Sequence, residues 1–287
     1  SETQFSLSMG PRAEPRITTR PPAVAGMFYP ADDAAREALV DELFDGLSPV
    51  EPVEVQAAMV PHAGLRYSGR IAADTWRRIK LPESVLIIGP KHTADGVDWA
   101  VAPHDLWQLS DGVSMAGDVD LACQIAQTVP GMELDAAAHA REHGSEVQLP
   151  ILHRLAPKVR VAAIAMAGAT MDELQPAAEA LAGLMRRLDK PPLLVISSDM
   201  NHFADDTENR RRDRIALGAL ERGNPQELLR LCAEENISMC GQIPAALVLL
   251  TLQAMGCQPR YREIAYGTSA DVSGDRSRVV GYAGVLF

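Results

Sequence analysis

The sequence predicts an α/β protein with a single domain, built on a central mixed, largely parallel sheet that is flanked by helices. Short apolar runs alternate with helical patterns over most of the chain, an order typical of a parallel sheet covered on both faces. Two further strand-like runs near the end of the chain, separated by a Ser/Gly/Asp loop, indicate an antiparallel extension. No Pro/Gly/Ser linker and no repeat of solenoid period divides the 287 residues, which favours one domain over two.

The N-terminal region predicts a tail followed by a helix. Residues 1–19 are polar and lack periodicity, so we expect a mobile tail ahead of an α/β domain that spans residues 20–287. Between Ala31 and Leu47, apolar residues stand four apart with acidic residues between them, which predicts an amphipathic helix. Asp32 or Asp33 is expected to cap its first turn.

The remaining elements follow in strand and helix order. The predicted strands of the central sheet are Gln56–Val60, Ser84–Ile88, Val159–Met166 and Pro192–Ile196. The helical patterns between them are Arg70–Ile79, Val119–Val129 and Met171–Leu188. Three more helices are predicted, at about Asp206–Glu221, Pro225–Glu235 and Gly241–Met255, before the terminal strands Arg260–Tyr266 and Arg278–Phe287.

Composition argues against several classes of function. The formal net charge is −11, and the longest basic block is Arg210–Arg212, so nucleic acid is not expected as a partner. The four cysteines form no CxxC pair, which argues against a disulfide framework and a zinc finger and favours a reducing compartment. No apolar run approaches the roughly 18 residues of a membrane span, and the N-terminus lacks the features of a signal peptide. We therefore expect a cytoplasmic protein without a membrane partner.

Ionisable side chains follow three of the predicted strands at their carboxyl ends. His62 follows the first strand, His92 follows the second, and Asp199 and His202 follow the fourth. The loops at that edge of an open α/β sheet form its binding crevice, so the coincidence of the three predicts a site. Each residue alone has an equally ordinary interpretation, as a hydrogen-bonded structural histidine or a helix cap.

Two further segments offer reactive side chains. His143 lies in Glu142–Leu149, which suggests a helix with polar groups at its start but lacks the second histidine of an HExxH zinc motif. It is as compatible with a capping role as with a pocket. Cys240 directly precedes the apolar helix Gly241–Met255, whose dipole favours a thiolate as nucleophile or metal ligand. The alternative for Cys240 is a buried, inert cysteine.

Taken in order along the chain, these motifs resemble the Memo family, whose bacterial members are called AmmeMemoRadiSam system protein B. The segments that carry the resemblance are Arg20–Pro30, Pro61–Gly64, Gly89–His92, Glu142–Glu146, Ser197–Asp199 with His202, Met239–Gly241 and Val279–Tyr282. That family is similar in fold to the class III extradiol dioxygenases, with a pocket at one end of a central mixed sheet. Members also look like partners of an AMMECR-type protein and a radical SAM protein, which is an association and not a mechanism.

The resemblance implies a metal site in this pocket. In the dioxygenases two histidines and a glutamate hold Fe(II), and a further histidine acts as acid and base. The Memo pattern places His62, His92 and Cys240 as metal ligands. The same pattern places His202, Asp199 and His143 around the pocket as catalytic residues. Tyr67, Lys91 and Gln242 are the expected substrate-binding neighbours.

Cys240 stands where the dioxygenases have a carboxylate, and this departure leaves several functions open. Fe(II) is the expected cofactor, but a thiolate ligand also favours copper or zinc. The first function is a non-heme iron, dioxygenase-like enzyme acting on a small catechol-like substrate, with His202, oriented by Asp199, moving the proton. The others are a copper-binding redox protein and a non-catalytic module that binds a peptide or partner in the same pocket.

Overall fold

Strands and helices alternate along residues 17–287, which are the residues that a computed structural model of the protein describes. The strands are β1 (Thr19–Arg20), β2 (Ala57–Val60), β3 (Ser84–Pro90), β4 (Trp99–Val101), β5 (Leu106–Ser110), β6 (Val113–Ala116), β7 (Glu133–Leu134), β8 (Arg160–Met166), β9 (Leu193–Ser197), β10 (Arg262–Thr268) and β11 (Gly281–Leu286). The helices are α1 (Asp33–Leu43), α2 (Leu65–Trp76), α3 (Val119–Thr128), α4 (Leu149–Leu155), α5 (Met171–Arg187), α6 (Asp206–Glu221), α7 (Pro225–Glu234), α8 (Gln242–Ala254) and α9 (Ala270–Ser273). The predicted fold class is confirmed.

Within residues 17–287, the central sheet has eight strands in the order β10-β11-β2-β9-β3-β8-β4-β7. Its middle strands β2, β9, β3 and β8 run parallel, whereas β11 is antiparallel to β2 and β4 is antiparallel to β8. The carboxyl ends of the four parallel strands therefore meet at one edge, which we call the carboxyl edge of the sheet. A second sheet of three strands has the order β1-β5-β6.

Both faces of the sheet are covered, as the continuous apolar runs of its central strands require. Successive side chains of β3 alternate between the two faces: Leu86 and Ile88 pack in a core with α3, α5 and α8, and Val85 and Ile87 pack in a core with α1, α2 and α4. All four are fully buried. Among the described residues, no helix combines the length and the apolar character that a bilayer-spanning helix needs.

The structure differs from the predicted elements at several places. Helix α2 begins at Leu65 and not at Arg70, because the backbone N–H of Leu65 donates to the carbonyl of Phe28, a contact that is invisible in the local pattern. The segment from Glu142 stays irregular until a 3₁₀ turn at residues 146–148 leads into α4. The predicted loop between the terminal strands contains the short helix α9.

The predicted N-terminal tail lies mostly outside the described residues, which begin at Ile17. Within them, the backbone of Thr18 accepts from Asp105 and donates to its carboxylate, and Thr19 pairs with β5. The first described strand thus includes Thr19, one residue ahead of the predicted domain boundary at residue 20.

Candidate metal centre

Three histidine rings gather at the carboxyl edge of the sheet. His62 lies two residues beyond β2, His92 lies two residues beyond β3, and His143 lies in the irregular segment ahead of α4. One ring nitrogen from each of the three lies within 4.8 Å of the nitrogens of the other two. Imidazole nitrogens grouped in this way can converge on one transition-metal ion.

Ser197, the last residue of β9, fixes the tautomer of His62. The Ser197 hydroxyl donates its single proton to the carbonyl of Gly144 at 2.6 Å and accepts from the amide of Gln148 at 3.0 Å. Nδ1 of His62 lies 2.8 Å from the same oxygen and must therefore donate to it. The lone pair of His62 is left on Nε2, the atom required of a metal ligand.

The His62 ring is also held in its neutral form. Burial, with a smaller contribution from positive charge on the neighbouring His92, lowers the pKa of His62 to about 3. His62 is only 1% exposed, so water cannot hydrate the positive charge that the ring would gain on protonation. A neutral imidazole is the form that binds metal, so the ring needs no deprotonation near neutral pH.

Glu142 orients the second histidine. Its carboxylate accepts from Nδ1 of His92 at 2.7 Å, from the backbone N–H of His92, and from the backbone N–H of Gly144 at 3.0 Å. Burial raises the pKa of Glu142, but the hydrogen bonds and charge of His92 outweigh it and lower the pKa to about 2. The ionised carboxylate thus keeps the proton of His92 on Nδ1 and leaves Nε2 free.

His143 is held by stacking with two other rings. It stacks with Phe28 at a centroid distance of 4.6 Å and with His92 at 4.2 Å. Burial lowers the pKa of His143 to about 4, with further contributions from charge on His62 and His92. Each of the three rings can therefore offer a nitrogen lone pair to a metal ion. His143 depends on aromatic packing for its position.

A buried carboxylate, that of Glu146, anchors the segment that carries Phe28. Glu146 is fully buried and accepts from the guanidinium of Arg20, from the backbone N–H groups of Ala23 and Val24, and from the hydroxyl of Tyr29. Four donors compensate one buried charge. The sequence reasoning gave neither Glu146 nor Phe28 a role, although both lie within the motifs that carry the family resemblance.

Cys240 lies against the free nitrogen of His62. Its Sγ is 3.4 Å from His62 Nε2 and accepts from the backbone N–H of Asp199 at 3.3 Å. Burial and the negative charge of Asp199 raise the pKa of Cys240 to about 12, so the residue is a neutral thiol that a metal ion would have to deprotonate. Cys240 thus contacts His62, but among the described residues the group of three converging ligand atoms contains His143 where the sequence analysis expected Cys240. Cys240 stays a candidate further ligand.

A glycine lets the Cys240 loop approach β9 closely. The backbone N–H of Gly241 donates to Ser198 Oγ at 2.8 Å, and a Cβ at position 241 would lie 2.4 Å from the Ser198 Cβ. Only glycine fits this contact, which joins the start of α8 to the end of β9. Beside it, the buried carboxylate of Asp199 accepts from the backbone N–H of His62 at 2.8 Å, and burial raises the pKa of Asp199.

The predicted pairing of His202 with Asp199 is not found. Nδ1 of His202 donates to the carbonyl of Ser238 at 3.1 Å, and the backbone N–H of His202 donates to the Ser238 hydroxyl at 2.8 Å. Asp199 instead accepts from His62, because the chain turns between residues 199 and 202 and sends the two side chains to different partners. His202 keeps Nε2 free, and charge on His202 would lower the pKa values of both His62 and Asp199.

The three expected substrate-binding residues lie close in sequence to His62, His92 and Cys240, and each is held in a different way. Lys91 donates from Nζ to the carbonyl of Thr93 at 3.0 Å, and Gln242 donates to the carbonyl of Met239 at 3.1 Å. Tyr67 is 45% exposed on α2. Their substrate role stays a prediction.

Comparison with known proteins gives one consistent family. A family model described as Memo-like protein matches residues 20–286. MEMO1 family proteins of Aquifex aeolicus and Ignicoccus hospitalis are each 35% identical to this chain, over 94% of it and over 100% and 99% of their own lengths. The MEMO1 family protein of Methanobrevibacter smithii is 32% identical over 93% of this chain and 99% of its own. The matched range includes every residue of the histidine cluster.

Proposed function

This chain belongs to the Memo-like protein family, and on that premise we propose that it is a metal-dependent, dioxygenase-like oxidoreductase with Fe(II) held by His62, His92 and His143. The observation that carries the proposal is the grouping of one nitrogen from each ring within 4.8 Å. Imidazole suits iron, copper and zinc alike, so the donor set supports a transition metal in general. Iron is the choice that follows from the family's likeness to the extradiol dioxygenases.

The residues of the chain prepare the site for a metal ion before one binds. Ser197 and Glu142 each accept a hydrogen bond from the protonated Nδ1 atom of a ligand histidine, which leaves the two Nε2 atoms free. The low pKa values of His62 and His143 keep these rings neutral. A bound iron ion would supply Lewis acidity and one-electron chemistry with O₂ and substrate.

His202 is the proposed acid and base for a substrate hydroxyl. Its Nδ1–H donates a hydrogen bond to the carbonyl of Ser238, so Nε2 is free. Nε2 can therefore accept a proton from a catechol-like hydroxyl and return it later. Asp199 is the second candidate, because burial favours its protonated form and because its carboxyl group lies next to the backbone N–H of His62. Phe28, which stacks on His143, lines a small pocket together with Tyr67, and the two rings offer apolar surface to an aromatic substrate.

The first test is the metal content of the purified chain and of its variants. The protein is prepared without oxygen, and Fe, Cu and Zn are quantified beside His62→Ala, His143→Ala and the control His153→Ala, which changes a half-buried histidine on α4. We expect close to one metal ion per chain in the wild type and in His153→Ala, and loss in the other two. Circular dichroism confirms that each variant is folded.

The second test is turnover of the iron-loaded protein. We expect consumption of O₂ when catechol is added, and loss of that consumption in His202→Gln with the metal content unchanged. A chain that binds no metal after Fe(II), Cu(I) and Zn(II) have been offered without oxygen would overturn the proposal. A chain that binds iron but never consumes O₂ with catechol-like diols would overturn its catalytic part and leave the metal site.

Cys240 favours copper redox chemistry as the second candidate function. A thiol 3.4 Å from a ligand nitrogen offers Cu(I) the soft donor that it prefers, whereas Fe(II) needs no such group. Cys240→Ser distinguishes the two functions. Selective loss of Cu(I) affinity with Fe(II) affinity retained assigns Cys240 to a copper site, and retention of both metals removes the thiol from the ligand set.

A further inference from the structure

A second cavity lies at the opposite edge of the central sheet from the histidines. It has a volume of about 560 Å³ and opens beside Gln56, Glu83 and Leu193, where β2, β3 and β9 begin. The five residues of β9 alone separate the two edges by about 16 Å at the usual rise of a strand. The cavity is therefore distinct from the candidate metal centre, and its volume lies within the roughly 300–1,000 Å³ typical of small-molecule sites.

The walls of this cavity are mostly apolar. They come from the first residues of β9, from the last turns of α5 and α8, and from the segment ahead of β3. The apolar residues that define the wall are Leu81, Pro82, Met185, Leu193, Leu252 and Met255. An alkyl chain placed against this wall would leave water for an apolar surface, which is favourable in proportion to the area covered.

The edge of the sheet that carries the cavity is rich in lysine. The sequence contains only four lysines, and three of them lie at this edge: Lys80 and Lys190 line the cavity, and Lys158 lines the neighbouring groove together with Arg160. Glu54 and Glu83 are the two carboxylates that line the cavity. The two lysines and the two carboxylates of the cavity balance in charge, and Lys158 and Arg160 in the neighbouring groove add positive charge to this edge of a protein whose formal net charge is −11.

Both lysines that line the cavity keep their ammonium groups accessible. Their side chains are 70% and 72% exposed, and Nζ of Lys80 approaches its Glu54 partner only to 3.9 Å. Lys190 contacts Glu83 at 2.9 Å. Exposed ion pairs of this kind are weak, so a ligand anion can compete for either lysine.

We propose that this cavity binds a single-chain anionic amphiphile of the fatty-acid type, with its alkyl chain on the apolar wall and its carboxylate between Lys80 and Lys190. The apolar wall explains the chain, and the two accessible ammonium groups explain the carboxylate. A single free amphiphile is assigned rather than a membrane surface, because the cavity is a recess of limited volume, about 560 Å³.

Dodecanoate is the probe, measured on the full chain by displacement of the neutral fluorophore 1-aminoanthracene. We expect saturable binding of one molecule per chain. Lys80→Gln with Lys190→Gln should weaken it about fivefold, the upper range for exposed ion pairs. Lys158→Gln is the matched control, because this lysine lies at the same edge outside the cavity. The dodecanoate affinity of this variant should stay within about twofold of wild type.

A second variant tests the apolar wall without removing a core side chain. Cys257 is half-buried on the wall, so Cys257→Trp should fill the cavity and weaken dodecanoate binding more than tenfold with the fold intact by circular dichroism. The native Cys257 also reports occupancy: dodecanoate should slow its alkylation, measured by mass spectrometry, and leave alkylation of the half-buried Cys123 on α3 unchanged.

Several results would overturn the proposal. These are absence of saturable dodecanoate binding, unchanged affinity in the double lysine variant or in Cys257→Trp, and equal affinity of the wild type for dodecanol. Competition by anionic vesicles but not by monomeric dodecanoate would also overturn it, because the surface would then recognise a membrane and not a free carboxylate.

Discussion

Replacement of Glu142 by glutamine is the sharpest test of how the histidine cluster is oriented. The substitution keeps the shape of the side chain and removes its charge. In the wild type the two carboxylate oxygens accept from Nδ1 of His92, from the backbone N–H of His92 and from the backbone N–H of Gly144. Glutamine offers one carbonyl oxygen to these donors and turns an NH₂ group toward the others, so at least one donor loses its partner.

The expected effect follows from these contacts. Loss of a partner that orients a ligand histidine lowers metal affinity by about 10–100-fold, or about 1.4–2.7 kcal/mol. The His92 side chain is 29% exposed, so water can replace part of the lost hydrogen bonding. We therefore expect Glu142→Gln to weaken metal binding by about tenfold, at the lower end of this range.

Competition between the protein and a chromophoric chelator for Zn(II) measures the affinity. Glu234→Gln is the matched control, because Glu234 is 56% exposed on α7 and forms an exposed ion pair with Arg230. Urea unfolding of both variants shows whether each is folded under the assay conditions. An affinity of folded Glu142→Gln within twofold of wild type would refute the argument that Glu142 prepares His92 for metal binding.

Three further predictions test other parts of the structure. Ser197→Ala removes the acceptor of the His62 Nδ1 proton and should weaken Zn(II) binding about tenfold in the same competition assay; wild-type affinity would mean that the tautomer is set elsewhere. Glu146→Ala leaves the buried Arg20 guanidinium without its carboxylate and should lower the free energy of unfolding in urea by about 3–5 kcal/mol, and a loss below about 1 kcal/mol would contradict the anchoring role. Burial raises the pKa of Asp213 from its ordinary 3.8 to about 6, so the folded state holds its proton more tightly than the unfolded state. The stability from this proton is complete below about pH 4 and is lost as the pH rises to about 6, by about 3 kcal/mol. Asp213→Asn should remove that decline when its urea unfolding is compared with wild type at pH 4 and pH 7, and identical pH dependence in the two proteins would sink this assignment.

The long elements were predictable because their own residues carry the signal. The apolar runs of β2, β3, β8 and β9 predict strands within two residues of the observed ends, since strands buried on both faces are apolar throughout. Strands of two or three residues such as β4 and β7 were missed. They have too few residues to show a pattern, and their conformation depends on pairing with neighbours that lie elsewhere in the chain.

The site divides in the same way. The positions of His62 and His92 follow from the sequence, because each comes directly after a predicted parallel strand and such strands end at a common edge. The place of His143 beside them does not follow, since it depends on stacking with Phe28, which is distant in the sequence. The sequence also suggested that Asp199 orients His202, whereas in the folded chain Asp199 accepts a hydrogen bond from the backbone N–H of His62.

The sequence by itself determined the α/β class, the order of the central strands along the chain, and the edge at which the ionisable residues are delivered. These depend on periodicity and local apolar character, which each segment carries alone. Only the tertiary structure decided which protons the site holds. Ser197 reaches His62 across 135 positions and Glu142 reaches His92 across 50, and contacts at such separations exist only once packing has brought the strand ends together.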